Sequence, residues 1–201
     1  MVFSKVPTVK RNIFATIAEI TDEKKAIDIA SPLSEFACPE QLIKLVTKYM
    51  KLGKNGHSPD EGIRLLRNQI VELVNSQNKA NFDPETEITI TAGPTQAMTT
   101  AISTFIKEGD EVIIFEPVQE TYAPFIELNG GRPLYVSLKY PDFRIDWDDV
   151  KKMVTSKTKM IILNNPQNPI GHLFTEEDLN QLKRMINGTR LIILSNEVFD
   201  H

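Results

Sequence analysis

Hydrophobic side chains recur every three or four positions through residues 13–73 of this sequence. Such a spacing places them on one face of a helix, where they can pack together. The groups with this spacing are Ile13, Phe14, Ile17 and Ile20; Leu42, Val46, Tyr49 and Met50; and Ile63, Leu66, Ile70 and Leu73. We therefore predict an N-terminal part made of helices joined by irregular segments.

From Glu87 onward the pattern changes to short runs rich in β-branched residues. The predicted strands are residues 88–91, 112–115, 134–138, 160–163 and 191–194. Helical spacing returns at residues 95–106 and at Glu176–Ile186, and Thr175 with Asp178 has the spacing of a capping box. Because nearly continuous apolar runs suit strands covered on both faces, we predict an α/β fold with a mainly parallel sheet.

The composition is that of an ordinary folded protein, since 41% of the 201 residues are hydrophobic and 25% are charged. The net charge of −4, without a basic block, argues against a nucleic-acid partner. No stretch reaches the roughly 18 apolar residues that cross a membrane, and residues 1–10 lack the apolar core of a signal peptide. We therefore expect a cytoplasmic protein that binds neither nucleic acid nor membranes.

Cys38 is the single cysteine, so an intramolecular disulfide is impossible. Because no cluster of Cys and His residues surrounds it, we expect no metal site. We expect the Cys38 side chain to behave as a small apolar group that is buried or half-buried.

A candidate anion site lies where the predicted strand 88–91 leads through Ala92, Gly93, Pro94 and Thr95 into a helix. The backbone N–H groups and the positive end of a helix stabilise an anion such as a phosphate at this kind of turn. Pro94 suits the first helical position but has no N–H to donate, which removes one contact. An ordinary strand-to-helix turn, which also needs a glycine and a capping residue, is the alternative interpretation.

Polar side chains follow two other predicted strands. Pro166 and Pro169 hold Asn165 and Asn168 extended, with their amides free to point across a crevice at the strand ends. Asn196 follows the last apolar run, at the edge where open α/β sheets place ligands. A rigid turn and a plain strand ending are the alternatives for these two segments.

Taken together, these segments resemble the class I/II aminotransferases that depend on pyridoxal phosphate, and among them the methionine and kynurenine (glutamine-type) branch. The resemblance runs from Lys5 to His201 and rests on motifs in the family's order and spacing. These are Lys5-Val6-Pro7, Gly62-x-x-x-Leu66-Arg67, Asp83-Pro84-Glu85, Gly93-x-Thr95, Gly109-Asp110-Glu111-Val112, Phe115-Glu116-Pro117, Tyr122-Ala123-Pro124, Asn164-Asn165-Pro166 and Asn168-Pro169-x-Gly171. It implies a three-layer αβα large domain over residues 46–201, incomplete in this chain, preceded by an N-terminal segment, 1–45, that belongs to the small domain.

The resemblance also implies a cofactor site. Family members bind the phosphate of pyridoxal 5′-phosphate on backbone groups at the positions of Gly93, Pro94 and Thr95. In family members, the asparagine at the position of residue 168 hydrogen-bonds the phenolic oxygen of the cofactor ring. This chain has the same residue, Asn168.

Other positions of that site are changed in this chain. Gln119 replaces the aromatic residue that stacks on the ring, and Asn196 replaces the aspartate paired with the ring nitrogen. Phe199 replaces a tyrosine that donates to the phenolic oxygen, and His57 replaces the tyrosine that reaches the phosphate from the dimer partner. In the substrate-binding segment, Pro32 replaces a glycine and is followed by Leu33. This pattern is typical of a degenerate active site that binds the cofactor weakly.

The resemblance also places the Schiff-base lysine beyond Ser195, so no lysine of this chain receives that catalytic role. In the family fold that the resemblance implies, two later strands lie between strand 88–91 and the other strands. We therefore expect a truncated chain, with a missing C-terminal half, a partner chain in the gap or a rearranged sheet.

Two functions from different classes follow. The first is transamination between an L-amino acid and a 2-oxo acid by a homodimeric enzyme of which this chain is the incomplete N-terminal half. The alternative is a catalytically silent protein on the aminotransferase fold that acts by dimerisation or by binding a small molecule. A lyase that uses the same cofactor on the same fold is a third possibility.

Overall fold

The structure is a computed structural model that describes residues 9, 13–29 and 36–199. It divides into two compact units between Thr91 and Ala92. The boundary predicted between residues 45 and 46 concerns the two domains of the whole family fold and stays a prediction. None of the described helices is long and apolar enough to cross a membrane.

The unit before Ala92 is helical, as predicted from the spacing of its hydrophobic residues. Its helices are α1 (Ile13–Lys24), α2 (Glu40–Lys51) and α3 (Arg64–Asn78). The buried Arg67 fastens α3 to the segment that follows it, because its guanidinium donates to the carbonyl oxygens of Gly62 and Pro84. Cys38 is exposed, so the expectation of a buried or half-buried thiol is wrong. The neighbouring helix α2 buries none of its own residues.

Residues 88–91 do not form a strand, so this part of the prediction is wrong. A strand is stable only when its backbone groups pair with a neighbouring strand. Here the Ile90 N–H instead donates to the Glu61 carbonyl oxygen at 2.9 Å, in a loop. Gly62 lies so close to Ile90 that a Cβ on it would come within 2.3 Å of the Ile90 side chain. The segment is therefore held by a loop of its own unit rather than by a sheet.

The unit after Thr91 alternates helices and strands, which confirms the predicted α/β class. Its elements are α4 (Gly93–Phe105), β1 (Glu111–Glu116), α5 (Tyr122–Leu128), β2 (Arg132–Ser137), α6 (Trp147–Met153), β3 (Thr158–Asn164), α7 (Glu176–Ile186) and β4 (Ile192–Asn196). The strands form one parallel sheet in the order β2-β1-β3-β4. Helices α5 and α6 were not predicted, because each has only 7 residues, too few to show a helical repeat.

Helices cover both faces of this sheet, which confirms the predicted three layers. Ile113 and Phe115 of β1 join the apolar cluster beneath α6 and α7. Val112 and Ile114 join the opposite cluster, beneath α4 and α5. Successive side chains of a strand point to opposite faces, so the continuous apolar run of β1 fills two cores at once.

All the strands end at one edge of the sheet, and a buried glutamine fastens two of the connections there. Gln167, which is 2% exposed, donates from Nε2 to the carbonyl oxygens of Phe115 at 3.1 Å and Pro117 at 2.6 Å. Since both partners are acceptors, the amide cannot be turned round, and Oε1 must point away from them. Among the buried side-chain atoms of the described residues, Gln167 Oε1 has no hydrogen-bond partner.

The predicted capping box at the start of α7 is confirmed. Thr175 accepts from the Asp178 N–H, and the Asp178 carboxylate accepts from the Thr175 N–H. Trp147 Nε1 of α6 donates to the same carboxylate at 2.9 Å, so one side chain caps α7 and joins it to α6. Burial raises the pKa of Asp178, but the hydrogen bonds from Thr175 and Trp147 outweigh it, and the pKa lies below its ordinary value.

Asp178→Asn should lower the free energy of unfolding by about 1 kcal/mol at pH 7, because neutral hydrogen bonds replace charged ones. The lowered pKa means that the carboxylate stabilises the folded state fully above about pH 3.9, and that this contribution is lost as the pH falls towards the folded value. The difference between variant and wild type should therefore shrink in acid. Denaturant unfolding, monitored by the fluorescence of Trp147, the single tryptophan, measures this difference in the free energy of unfolding.

The matched control is Asp148→Asn, since Asp148 forms an exposed pair with Lys151 at 3.2 Å. Such a surface pair contributes about 0–1 kcal/mol, so the control should change stability little at any pH. If Asp178→Asn remained less stable than the wild type by the same free energy in acid, the stabilising role of the Asp178 charge would be contradicted.

Gln167→Leu should destabilise the protein by about 1–3 kcal/mol, because two buried carbonyl groups lose their donor. Gln167→Glu should cost more than Gln167→Leu, since a carboxylate oxygen would face the same two carbonyl oxygens. Thermal unfolding followed by circular dichroism ranks the three proteins. A glutamate variant as stable as the wild type would show that the two carbonyl contacts do not hold the loop.

Candidate functional site

Helix α4 begins at the predicted anion site. Gly93 has a φ of 76°, in the region that favours glycine, and Pro94 lies in the first turn. Residues 93–96 are exposed, and the first N–H groups of a helix have no partner within it. The Gln96 side chain reaches back and accepts from the Ala92 N–H at 2.5 Å, which fixes the entry to the helix. The turn thus presents backbone donors and the Thr95 hydroxyl to solvent.

The segment after β3 is held rigidly by its own polar groups. Asn165 donates from its backbone N–H to the Asn196 carbonyl oxygen at 3.0 Å, and its side-chain oxygen accepts from the Phe174 N–H at 3.1 Å. Asn164 Nδ2 donates to the Asn168 carbonyl oxygen at 3.3 Å. Asn168 is half-buried, and its side-chain amide makes no hydrogen bond with another described residue. The loop therefore offers one unengaged amide at the end of the sheet.

The end of β4 carries a buried cluster of polar side chains. Asn196, which is 7% exposed, donates from Nδ2 to the Tyr122 hydroxyl at 2.6 Å and to Gln119 Oε1 at 3.3 Å. Its side-chain oxygen accepts from the Val198 N–H at 3.3 Å. Burial raises the pKa of Tyr122, against a smaller lowering by the bond from Asn196, so the phenol is neutral at physiological pH.

The structure brings some of the predicted site residues together at the end of the sheet. Gln119 and Asn196 are in direct contact, and backbone pairing between Asn165 and Asn196 places the Asn168 loop beside them. Phe199 follows β4 and is 56% exposed.

The remaining described positions divide between the two units. His57 is exposed and belongs to the helical unit, whereas Gly93, Pro94 and Thr95 belong to the unit of the sheet. Pro32 and Leu33 lie outside the described residues. The binding role predicted for each of these residues stays a prediction.

Sequence reasoning missed Tyr122 and Gln167 as members of this site. In the sequence, Tyr122 stands out only as part of the motif Tyr122-Ala123-Pro124. Its hydroxyl was the available signal, because the hydroxyl of a buried tyrosine needs a hydrogen-bond partner. Gln167 stood at the variable position between two Asn-Pro pairs, and its two carbonyl partners are more than forty residues away in sequence. A long-range contact of this kind leaves no local pattern.

Comparison with known proteins identifies the family of the chain. The family model described as aminotransferase class I and II matches residues 34–201. A methionine aminotransferase of Escherichia coli is 31% identical over 198 residues, which cover 98% of this chain and 51% of that protein. A probable kynurenine–oxoglutarate transaminase of Saccharomyces cerevisiae is 31% identical over 190 residues, covering 89% of this chain and 43% of its own length.

Solved structures show the same relationship. The crystal structure of YbdL from Escherichia coli, reported with a methionine aminotransferase function, superposes with a TM-score of 0.96 at 31% identity. It covers 100% of this chain, which in turn covers 53% of that structure. The chain spans about half the length of the curated relatives it matches. On the family match, the sequence identity and the superposed fold, the chain belongs to the class I and II aminotransferases.

Proposed function

We propose that these residues form the cofactor-binding part of a protein that catalyses transamination between an L-amino acid and a 2-oxo acid. Membership of the family implies pyridoxal 5′-phosphate as the cofactor. The observation that carries the proposal is the Asn168 amide, which is unengaged among the described residues and stands on a loop fastened by Asn165 and Gln167. A fixed amide at the carboxyl edge of a parallel sheet is suited to hydrogen-bond an oxygen of a bound ring.

The start of α4 fits the phosphate of this cofactor. Its exposed turn supplies backbone N–H groups, the positive end of the helix and the Thr95 hydroxyl. Pro94 withholds one N–H, so we expect weaker phosphate binding than a first turn with all its donors would give.

Asn196 gives the site a neutral amide where the family has a carboxylate. When bound, pyridoxal phosphate withdraws electrons from the substrate carbon next to the amino group, and it does so best with a protonated ring nitrogen. The Asn196 amide supplies no negative charge to hold that proton. A hydrogen bond to a charged partner, about 1.5–3 kcal/mol, is thereby replaced by a neutral one of about 0.5–1.5 kcal/mol.

This feature favours a second candidate, a catalytically silent protein that keeps the fold and binds a small molecule. The Asn196 amide, the Tyr122 hydroxyl and the Gln119 side chain hydrogen-bond one another. They form a stable cluster that needs no ligand to be satisfied. We propose that the protein forms a homodimer in either case, as the family does.

Asn168→Ala should weaken binding of pyridoxamine 5′-phosphate about fivefold, the equivalent of one neutral hydrogen bond. Isothermal titration calorimetry measures the dissociation constant. Asn187→Ala, an exposed amide after α7, is the matched control and should leave the affinity unchanged. Equal affinities of wild type and Asn168→Ala would show that the Asn168 amide does not bond to the ligand, and the proposed function would lose the observation that carries it.

Conversion of bound pyridoxal 5′-phosphate to pyridoxamine 5′-phosphate by methionine, followed through the absorbance of the cofactor in a single turnover, separates the two candidates. It is measured on a protein that also contains the family's C-terminal half, because the resemblance places the Schiff-base lysine beyond Ser195. Transamination predicts conversion by the wild-type protein and a faster reaction in the Asn196→Asp variant, because the carboxylate holds the ring proton. The silent candidate predicts no conversion by the wild type. If Asn196→Asp bound the cofactor but did not react faster, the role given to Asn196 would be wrong.

A further inference from the structure

Both N–H hydrogens of Asn196 are engaged. An asparagine side chain carries two N–H hydrogens, and its carbonyl oxygen has two lone pairs. The two hydrogens of Asn196 go to the Tyr122 hydroxyl and to Gln119 Oε1, and the oxygen accepts from the Val198 N–H. A ligand can therefore accept a hydrogen bond from the Asn196 Nδ2 only by displacing Tyr122 or Gln119.

The orientation of this amide is fixed by the backbone. If the Asn196 side chain were turned round, its NH₂ group would face the Val198 N–H, and two donors would oppose each other. The NH₂ group must therefore face Tyr122 and Gln119. Whatever replaces one of these two partners must be an acceptor.

Gln119 is the partner that a ligand can displace. Its bond to Asn196 is the longer one, 3.3 Å against 2.6 Å for Tyr122, and hydrogen bonds weaken as they lengthen. Gln119 is half-buried, whereas Tyr122 is 1% exposed and is enclosed by the core beneath α4 and α5. Releasing Tyr122 would disrupt a core, but moving Gln119 requires only a rotation of its side chain.

Among residues 36–199, no charged group takes part in the cluster. Glu197, next to Asn196, accepts from the Ser195 hydroxyl at 2.7 Å and is exposed. Glu116, at the end of β1, accepts from the Ser137 hydroxyl at 3.4 Å. The hydrogen bonds of Asn196 go to neutral groups alone, so a cation brought to this place would find no negative partner in the cluster.

We propose that Gln119 occludes the Asn196 amide and that the site admits a phosphorylated ring whose nitrogen is an unprotonated hydrogen-bond acceptor, which takes the place of Gln119 Oε1. This inference rests on the proposed function. It adds a selection that the function alone does not contain, namely discrimination between the two protonation states of the ring. At the position of Gln119 Oε1, a protonated ring nitrogen would place a donor against the Asn196 N–H, because the Asn196 oxygen lies on the other side of the amide, where it accepts from the Val198 N–H.

The test is calorimetric titration with pyridoxamine 5′-phosphate at pH values on either side of the ionisation of its ring nitrogen. Inorganic phosphate is titrated in parallel, so that ionisation of the phosphate group can be subtracted. The wild-type protein should bind the neutral ring about tenfold more tightly than the protonated ring, the ratio that corresponds to one unfavourable contact at the nitrogen. Asn196→Asp should reverse this preference, and Asn187→Asp, the same change on an exposed residue, should leave it unaltered.

A double-mutant cycle tests the part played by Gln119. Gln119→Leu removes the competing acceptor at similar volume and should tighten binding of the neutral ring about fivefold. In an Asn196→Ala background, Gln119→Leu should not tighten binding, because the Asn196 amide that Gln119 occludes is no longer present. If Asn196→Ala does not fold, the pH comparison of wild type and Asn196→Asp decides the matter alone.

The outcomes separate this inference from the proposed function. If neither the wild type nor Asn196→Asp binds pyridoxamine 5′-phosphate, both the proposed function and the inference fail. If both proteins bind it and show the same preference for ring protonation, the proposed function stands and the inference fails. A gain from Gln119→Leu that persists without the Asn196 amide would likewise overturn the role of Gln119.

Discussion

The parallel pairing of β1, β3 and β4 decides where the polar groups of this protein meet. Parallel strands run in one direction, so the residues that follow them collect at one edge of the sheet. The register places Asn164 directly beside Asn196, and the next residue, Asn165, continues the pairing with its backbone N–H. A shift of one residue would turn Asn196 towards the other face, away from Tyr122.

The connections at that edge are held by side chains, because they have no secondary structure of their own. Gln167 binds the carbonyl oxygens at the end of β1, and Asn165 binds the backbone of Phe174. Both are buried or half-buried amides that bond to backbone groups, and one of these groups, the Phe115 carbonyl, belongs to β1 itself. The Asn168 loop therefore takes its position from the sheet, and its unengaged amide has a fixed place.

Much of this arrangement could be predicted from the sequence, and the failures have physical causes. The strands around Ile113 and Ile161 were found because central strands with two buried faces need continuous apolar runs. The strands around Leu134 and Ile193 lie at the edges of the described sheet but carry apolar runs as well. Residues 88–91 are also β-branched and form no strand, since pairing depends on a neighbour that composition does not reveal. The bond between Asn196 and Tyr122 spans 74 residues, so only the folded chain brings its two ends together.

The neutrality of Asn196 changes how the fold depends on its ligand. The amide is satisfied by Tyr122, Gln119 and the Val198 N–H, so the end of β4 buries no charge. A carboxylate in the same place would bury a negative charge, and none of the described groups bonded to Asn196 is a cation. With the amide, the end of β4 is hydrogen-bonded without a ligand. Folding of this sheet edge therefore needs no bound cation to neutralise a buried charge.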